Sequence, residues 1–258
     1  IINTSKFDEH KRLKEIIGEK KADLQMRIMG GFFAEQIRLS SYYSVDGKLR
    51  EMWNGIEYYH FLSNLYKNFD AKLDEITKNL NEVAEFIFNK NNLLISLTSD
   101  EGNYDNFKRN ISALIQSLRK DDIKAARWSF VPKIENEGLM IPGNVQYVAK
   151  GYDFKAFGQK YTGSLQVLRT IATFDYLWNR VRVQGGAYGI RGLFSRNGKV
   201  LFCSYRDPNL KETLKVFDDF GSFLKKFNPD EREMTKYILG TISSVDKPKT
   251  PPMKGHQA

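Results

Sequence analysis

The sequence predicts an α+β fold in which an antiparallel-rich sheet packs against helices. Three observations carry this prediction. Apolar residues recur at helical spacing through most of the chain, two β-rich runs flank an Asn-Gly pair, and glycine or proline marks the ends of these stretches. At 258 residues and 41% hydrophobic content, the chain can bury a core and can hold two domains or parts of them.

The first 120 residues are predicted to be helical, with one short strand. Apolar residues recur every three or four positions through residues 8–42, which indicates one long helix that Gly30 and Gly31 interrupt. Asp46-Gly47 indicates a turn. Further periodic stretches predict helices over 49–66, 69–88 and 104–118, and a β-rich run predicts a strand over 93–98. We therefore expect residues 1–120 to close one domain.

Residues 121–141 are charged and poorly periodic, which is typical of a connector, and residues 142–258 predict a second domain. Asn197-Gly198 is a strong short-range signal for a hairpin turn. The predicted elements are a strand at 144–149, a helix at 163–182, a hairpin at 188–205, and helices near 209–227 and 229–243. The proline-rich end at 247–258 predicts a loop.

The most informative stretch runs from Leu177 to Gly189. It closes an amphipathic helix with arginine, crosses the Gly185-Gly186 pair and presents Tyr188 at the start of a strand. A guanidinium and a phenol six residues apart across a tight turn can bind one polarised oxygen together. A purely structural interpretation is also open, because helices commonly end in glycine and basic residues often lie in their last turn.

A longer string, Asp175-Tyr-Leu-Trp-Asn-Arg-Val-Arg-Val-Gln-Gly-Gly-Ala-Tyr-Gly, closely resembles the C-terminal region of presequence-protease-type enzymes in the pitrilysin/insulinase family of zinc metallopeptidases. The resemblance continues in collinear order through nearly the whole chain. It includes Phe7-Asp8-Glu9-His10, Tyr42-Tyr43-Ser44, and residues 49–51, 56–62, 91–98 and 246–255.

The resemblance implies a clamshell enzyme of two halves, each built from two related α+β domains. Residues 1–120 would be the C-terminal part of the third domain, and residues 121–141 would connect it to the fourth. Residues 142–258 would form the fourth domain, which is incomplete at its C-terminus. Arg182 and Tyr188 match the arginine and tyrosine that bind the substrate carbonyl and stabilise the oxyanion, and Gly185, Gly186 and Ala187 would line the substrate. Arg180 is the main rival for the arginine role.

The resemblance also implies zinc in the full-length enzyme, bound by an H-x-x-E-H helix in the N-terminal half. This chain lacks that motif, since no two of His10, His60 and His256 stand four residues apart. The string Lys6-Phe7-Asp8-Glu9-His10 has a similar shape, but Lys6 occupies the position of the first zinc ligand. A protonated lysine has no lone pair to offer a metal ion. We therefore expect no metal site in this chain and no peptidase activity from it alone. The single Cys203 is expected to be packed and inert.

Charge and composition restrict the partners. The net charge is +9, yet Lys and Arg alternate with Asp and Glu and form no long basic tract, so nucleic-acid binding is not expected. No apolar run approaches the ~20 residues of a membrane helix. One cysteine suits a reducing compartment, which predicts the cytoplasm, with an organelle matrix as the alternative. The missing initial Met and the missing zinc motif suggest a fragment or a cleaved product.

The resemblance implies that the chain is the C-terminal portion of a zinc-dependent oligopeptidase, and the composition is compatible with this. It would hydrolyse unstructured peptides in an enclosed chamber, with the N-terminal catalytic half of the same protein as its partner. A non-catalytic scaffold or substrate-holding subunit of the same fold is the alternative. An H-x-x-E-H motif upstream in the parent protein would discriminate between them.

Overall fold

A computed structural model describes residues 6–122, 127–131 and 133–256 of the chain. The described part is mostly helical and contains one small three-stranded antiparallel sheet, which confirms the predicted α+β class. In chain order the main elements are α1 (His10–Met29), α2 (Phe32–Ser41), α3 (Val45–Asn54), α4 (Ile56–Lys67), α5 (Leu73–Ile87), α6 (Glu101–Ser117), β1 (Ala149–Asp153), α7 (Ser164–Thr170), a π-helix (Ile171–Gln184), β2 (Gly189–Phe194), β3 (Lys199–Tyr205), α8 (Lys211–Lys226), α9 (Glu231–Val245) and α10 (Pro251–Gly255).

The chain divides into two compact units. One consists of Ile1–Gly18, Asn64–Trp128 and Lys247–Ala258, and the other of Glu19–Ser63 and Ser129–Asp246. The second unit therefore recruits an early segment of the chain that the sequence assigns to the first domain. The predicted domain bounds of 1–120, 121–141 and 142–258 concern the subdivision of a longer family member, and they stay a prediction.

In the first unit, α5 and α6 are amphipathic helices with a small buried core. Phe69, Ile76 and Leu118 are buried, and the Lys14 ammonium lies 2.7 Å from an Asp70 carboxylate oxygen. The predicted strand at 93–98 is wrong, because these residues join no strand ladder in the described structure and Leu94 is 91% exposed. A β-rich run becomes a strand only when a neighbouring strand takes up its backbone hydrogen bonds.

The second unit is built around the sheet, with strand order β1–β3–β2. Successive residues of β3 face opposite sides, so each side of the sheet packs against different helices. Phe202 contacts the aromatic rings of Phe217 and Phe220 on α8, while the Tyr205 ring lies 5.5 Å from Phe32 on α2. The buried core on the α8 side also takes in the π-helix. This packing fixes the π-helix and β2, the two elements that flank the glycine turn.

Side-chain caps account for two differences from the predicted helices. Ser44 accepts a hydrogen bond from the Gly47 amide, so Asp46-Gly47 lies in the first turn of α3 and not in a loop. The predicted helix at 49–66 is two helices, because Glu51 accepts the amides of Ile56 and Glu57 and starts α4 afresh.

The elements in residues 142–258 follow the sequence-based prediction more closely than those in residues 1–120, with shifts at their ends. The strand expected at 144–149 is β1 at Ala149–Asp153. Before it lie an isolated bridge between Gln146 and Asp207 and a hydrogen bond from the Ser204 amide to the Val148 carbonyl. The proline-rich end contains the one-turn helix α10. Within the described residues, no helix combines the length and apolar character needed to cross a membrane.

Candidate active site

A π-helix leads into the candidate site. The sequence predicts an α-helix at 163–182, but the structure has an α-helix only at Ser164–Thr170, followed by π-helix to Gln184. The buried residues Ile171, Tyr176 and Val181 recur every five positions. Hydrogen bonds from residue i to i+5 bring such residues onto one face, whereas an α-helix would spread them around the axis. π-Helices are rare, and most are single turns within α-helices, so a π-helix of 14 residues is unusual.

The glycine pair ends this helix and reverses the chain. Gly185 keeps a helical conformation with φ of −84°, and Gly186 adopts φ of +81°. The turn therefore requires a glycine at position 186, because L residues rarely adopt a positive φ. A Cβ atom on Gly185 would lie 2.6 Å from the Val181 carbonyl oxygen, so a side chain is excluded there for a steric reason. Ala187 is buried and donates its amide to Val181.

The turn brings Arg182 and Tyr188 together. The Arg182 guanidinium carbon lies 4.0 Å from the ring centre of Trp178 and 5.9 Å from that of Tyr188. Tyr188 is 65% exposed, and its ring also packs edge-on against Tyr205 at 5.6 Å. Both contacts of Arg182 are cation–π interactions, and no carboxylate of the described residues forms an ion pair with it. Its charge is thus held in place without being neutralised.

Arg180 lies elsewhere. It is exposed, and its guanidinium carbon is 5.1 Å from the ring centre of Tyr176, a buried residue whose hydroxyl donates to Val216. The structure therefore pairs Tyr188 with Arg182 and pairs the rival arginine with a residue of the core.

A second segment, Arg206–Asn209, contacts both flanks of the glycine turn, and the sequence did not predict this. The Asn209 side-chain amide donates to the Gly185 carbonyl at 2.5 Å, and the Tyr188 amide donates to the Arg206 carbonyl at 3.3 Å. Asp207-Pro208-Asn209 has the composition of an Asx-turn, which the structure forms through the Asn209 amide and the Asp207 carboxylate. The turn is readable from the sequence, but its contact with Gly185, 24 residues away, is not.

Two neighbouring groups are titratable and buried. Cys203 is fully buried, and burial raises the pKa of its thiol well above the ordinary value, in agreement with the packed and inert cysteine that the sequence predicts. Glu35 on α2 has both carboxylate oxygens buried, with no hydrogen-bond partner among the described residues. Burial, with a smaller contribution from the Asp207 charge, raises the pKa of Glu35 to about 9.

The described residues contain no group of three or more His, Cys, Asp or Glu side chains that could hold a metal ion. The three histidines lie on α1, on α4 and just after α10. His60 on α4 is exposed. The donors in the described part of the chain do not fit a zinc site, and none of these residues is assigned a role as a zinc ligand.

Comparison with known proteins places the chain in a family. A protein-family model described as "PreP C-terminal domain" matches residues 136–258. A second model, for the segment associated with peptidases of family M16, subgroup C, matches residues 1–65. The first match begins inside the predicted connector.

Relatives match over most or all of the chain. "Protein HypA" of Clostridium perfringens is 43% identical over 256 residues, covering 99% of this chain and 26% of the relative. "Presequence protease 1, chloroplastic/mitochondrial" of Arabidopsis thaliana is 29% identical over 261 residues, covering 100% of this chain and 24% of the relative. "Presequence protease, mitochondrial" of Kluyveromyces lactis is 29% identical over 230 residues, covering 84% and 23%.

The chain spans about a quarter of the length of these relatives. The two family models match separate parts of it in the order that the sequence motifs predict. These findings confirm the resemblance: the chain belongs to the presequence-protease-like group of the M16, or pitrilysin/insulinase, peptidase family and corresponds to a C-terminal portion of such a protein.

Proposed function

We propose that this chain is the C-terminal portion of a zinc-dependent metalloendopeptidase that hydrolyses unstructured peptides in an enclosed chamber. In this proposal Arg182 and Tyr188 bind the carbonyl oxygen of the scissile peptide bond. They also stabilise the oxyanion that forms when water attacks that carbonyl. The presequence protease relatives support the reaction class, and the geometry of the glycine turn supports the two roles.

The single observation that carries the proposal is the Arg182–Tyr188 contact. A positive charge that no carboxylate of the described residues neutralises lies 5.9 Å from the ring of an exposed phenol. Both groups can donate hydrogen bonds, and both can serve one oxygen that gains negative charge. Trp178 beneath the guanidinium limits its rotamers, so the donor is held before the charge develops.

The glycine turn positions Arg182 and Tyr188, and we propose that it also contacts the substrate backbone. Gly186 is exposed, and an ideal Cβ atom on it would make only an ordinary van der Waals contact, 3.6 Å from Pro208. A peptide backbone can approach such a glycine closely. We therefore propose that the substrate passes along the backbone of Gly185, Gly186 and Ala187, with the exposed Gly186 as the point of contact and the buried Ala187 as its support.

The remaining parts of the site belong to the proposed partner, the N-terminal half of the same protein. That half would bind zinc, which supplies an acidified water for attack on the peptide carbonyl. The role of the present chain is to bind and polarise the carbonyl. We propose the cytoplasm as the location, with an organelle matrix as the alternative.

The proposal is tested in the complete protein by Arg182→Ala, with Arg180→Ala as the matched control two residues away on the same helix. We expect Arg182→Ala to lower kcat on a fluorogenic peptide by ~10²-fold or more, because a charged donor to the oxyanion is lost. We expect Arg180→Ala to stay within ~3-fold of the wild type, and zinc content to be unchanged in both.

If Arg180→Ala is the damaging change and Arg182→Ala is silent, the arginine is assigned wrongly. If neither variant nor Tyr188→Phe alters turnover, the pair is not catalytic and the scaffold alternative is favoured.

A further inference from the structure

We propose that Asn209 is a positioning residue, which holds the glycine turn so that Arg182 and Tyr188 keep their mutual geometry. The inference rests on the proposed function, because it assigns a role in the same site. Asn209 contacts neither of the two side chains. It acts on the backbone between them.

The contact lies at the midpoint of the turn. Gly185 is three residues after Arg182 and three residues before Tyr188, and its carbonyl is among those left without an intrahelical partner where a helix ends. The Asn209 amide donates to this carbonyl at 2.5 Å. This one hydrogen bond from outside the helix therefore fixes the backbone at Gly185, which lies between Arg182 and Tyr188 and determines how their side chains are oriented.

Asn209 is itself fixed by a buried carboxylate. Asp207 is fully buried, and one of its oxygens accepts the Asn209 backbone amide at 2.9 Å. Its other oxygen accepts the Thr213 hydroxyl at 2.8 Å, and its backbone makes two 2.8 Å hydrogen bonds with Gln146. The donor that reaches Gly185 thus extends from a rigid support rather than from a free loop.

Arg206 adds an independent observation. It adopts φ of +47°, the only positive φ of a non-glycine residue among those that the structure describes. Its carbonyl accepts the Tyr188 amide at 3.3 Å. A left-handed arginine is strained and persists only where the surroundings over-determine it. The strained carbonyl directs the Tyr188 backbone, while Asn209 directs Gly185, so Arg206–Asn209 holds the turn from both sides.

The experiment uses Asn209→Asp in the complete protein. Aspartate has nearly the same shape, but its carboxylate cannot donate to the Gly185 carbonyl and is repelled by it. Asn179→Asp is the matched control. Asn179 lies on the π-helix that precedes the glycine turn, and its side-chain amide also donates to a backbone carbonyl, that of Asp175, at 2.7 Å. This hydrogen bond is exposed and does not involve the turn. Asn209→Gln keeps an amide donor and serves as the rescue variant.

Two readouts decide the proposal. Hydrogen exchange of residues 185–188 reports the turn, and Asn209→Asp should speed exchange there by ~10-fold or more relative to Asn179→Asp, with a similar thermal midpoint. Peptide kinetics report the consequence, and Asn209→Asp should lower kcat by ~10²-fold with KM within ~3-fold, because misplacing a catalytic group by about 1 Å costs that much. Asn209→Gln should recover part of both losses.

The inference is overturned if exchange at 185–188 or kcat in Asn209→Asp matches the Asn179→Asp control. It is also overturned if the loss of kcat only follows a general loss of stability. If Arg182→Ala lowers kcat while Asn209→Asp does not, the proposed function stands and only the positioning role fails. If Arg182→Ala itself is silent, the proposed function fails, whatever Asn209 does.

Discussion

At the scale of single residues, the candidate site depends on how its charges are solvated. The Arg182 guanidinium makes cation–π contacts with Trp178 and Tyr188 and is not paired with a carboxylate of the described residues, so in the proposed site its charge is available to a substrate oxygen. Glu35, in the same compact unit, is the opposite case, a carboxyl group buried without a hydrogen-bond partner in the described part of the chain. Burial of this kind disfavours the ionised form. Glu35 therefore contributes to stability only while it holds its proton.

This state of Glu35 predicts a pH dependence of folding. The pKa of Glu35 is raised from 4.5 to about 9, so between these values the folded chain holds a proton that the unfolded chain has released. Stability should then fall as the pH rises through this window, by at most ~1.4 kcal/mol per pH unit from this group. Glu35→Gln, which is always neutral, should be more stable than the wild type at about pH 8 and nearly equal to it at about pH 4.5.

Urea unfolding at both pH values measures this effect, with Glu212→Gln on the exposed surface of α8 as the control. A wild-type protein that is as stable as Glu35→Gln at the higher pH would show that Glu35 ionises freely in the fold.

At the scale of elements, the site is a helix end, a glycine turn and a strand start. The glycine turn could be predicted from the sequence, because Gly185-Gly186 follows an apolar stripe and precedes a β-rich run. The π-helix could not be predicted, since a spacing of five between Ile171, Tyr176 and Val181 resembles an imperfect α-helical stripe. The contact from Asn209 to Gly185 depends on tertiary structure and leaves no local pattern.

Two glycine variants test the element directly. Gly186→Ala forces a side chain into φ of +81° and should cost ~1–2 kcal/mol of unfolding free energy. Gly186→Asn should cost clearly less, because asparagine tolerates the left-handed region. Both are measured by chemical denaturation beside peptidase kinetics, and we expect turnover to fall further than stability. Equal losses of stability in the two variants would mean that φ is not the reason for glycine at this position.

At the scale of the whole molecule, the chain supplies one side of a proposed active site. It spans about a quarter of the length of its relatives, and its described residues offer no metal-binding group. The fold class and the family could be predicted because periodic helices, the hairpin and collinear motifs are all local features of the sequence. The strand predicted at 93–98 failed because a strand depends on partners that its own residues do not specify.

The central claim is that Arg182 and Tyr188 act together on one oxyanion, and a double-mutant cycle in the complete protein tests it most directly. We expect Arg182→Ala and Tyr188→Phe each to lower kcat by ~10²-fold with zinc content intact, and the double variant to fall well short of the ~10⁴-fold product, because residues that act as a unit are non-additive. Losses that multiply fully would show two independent residues, and unchanged kcat in both single variants would contradict the account.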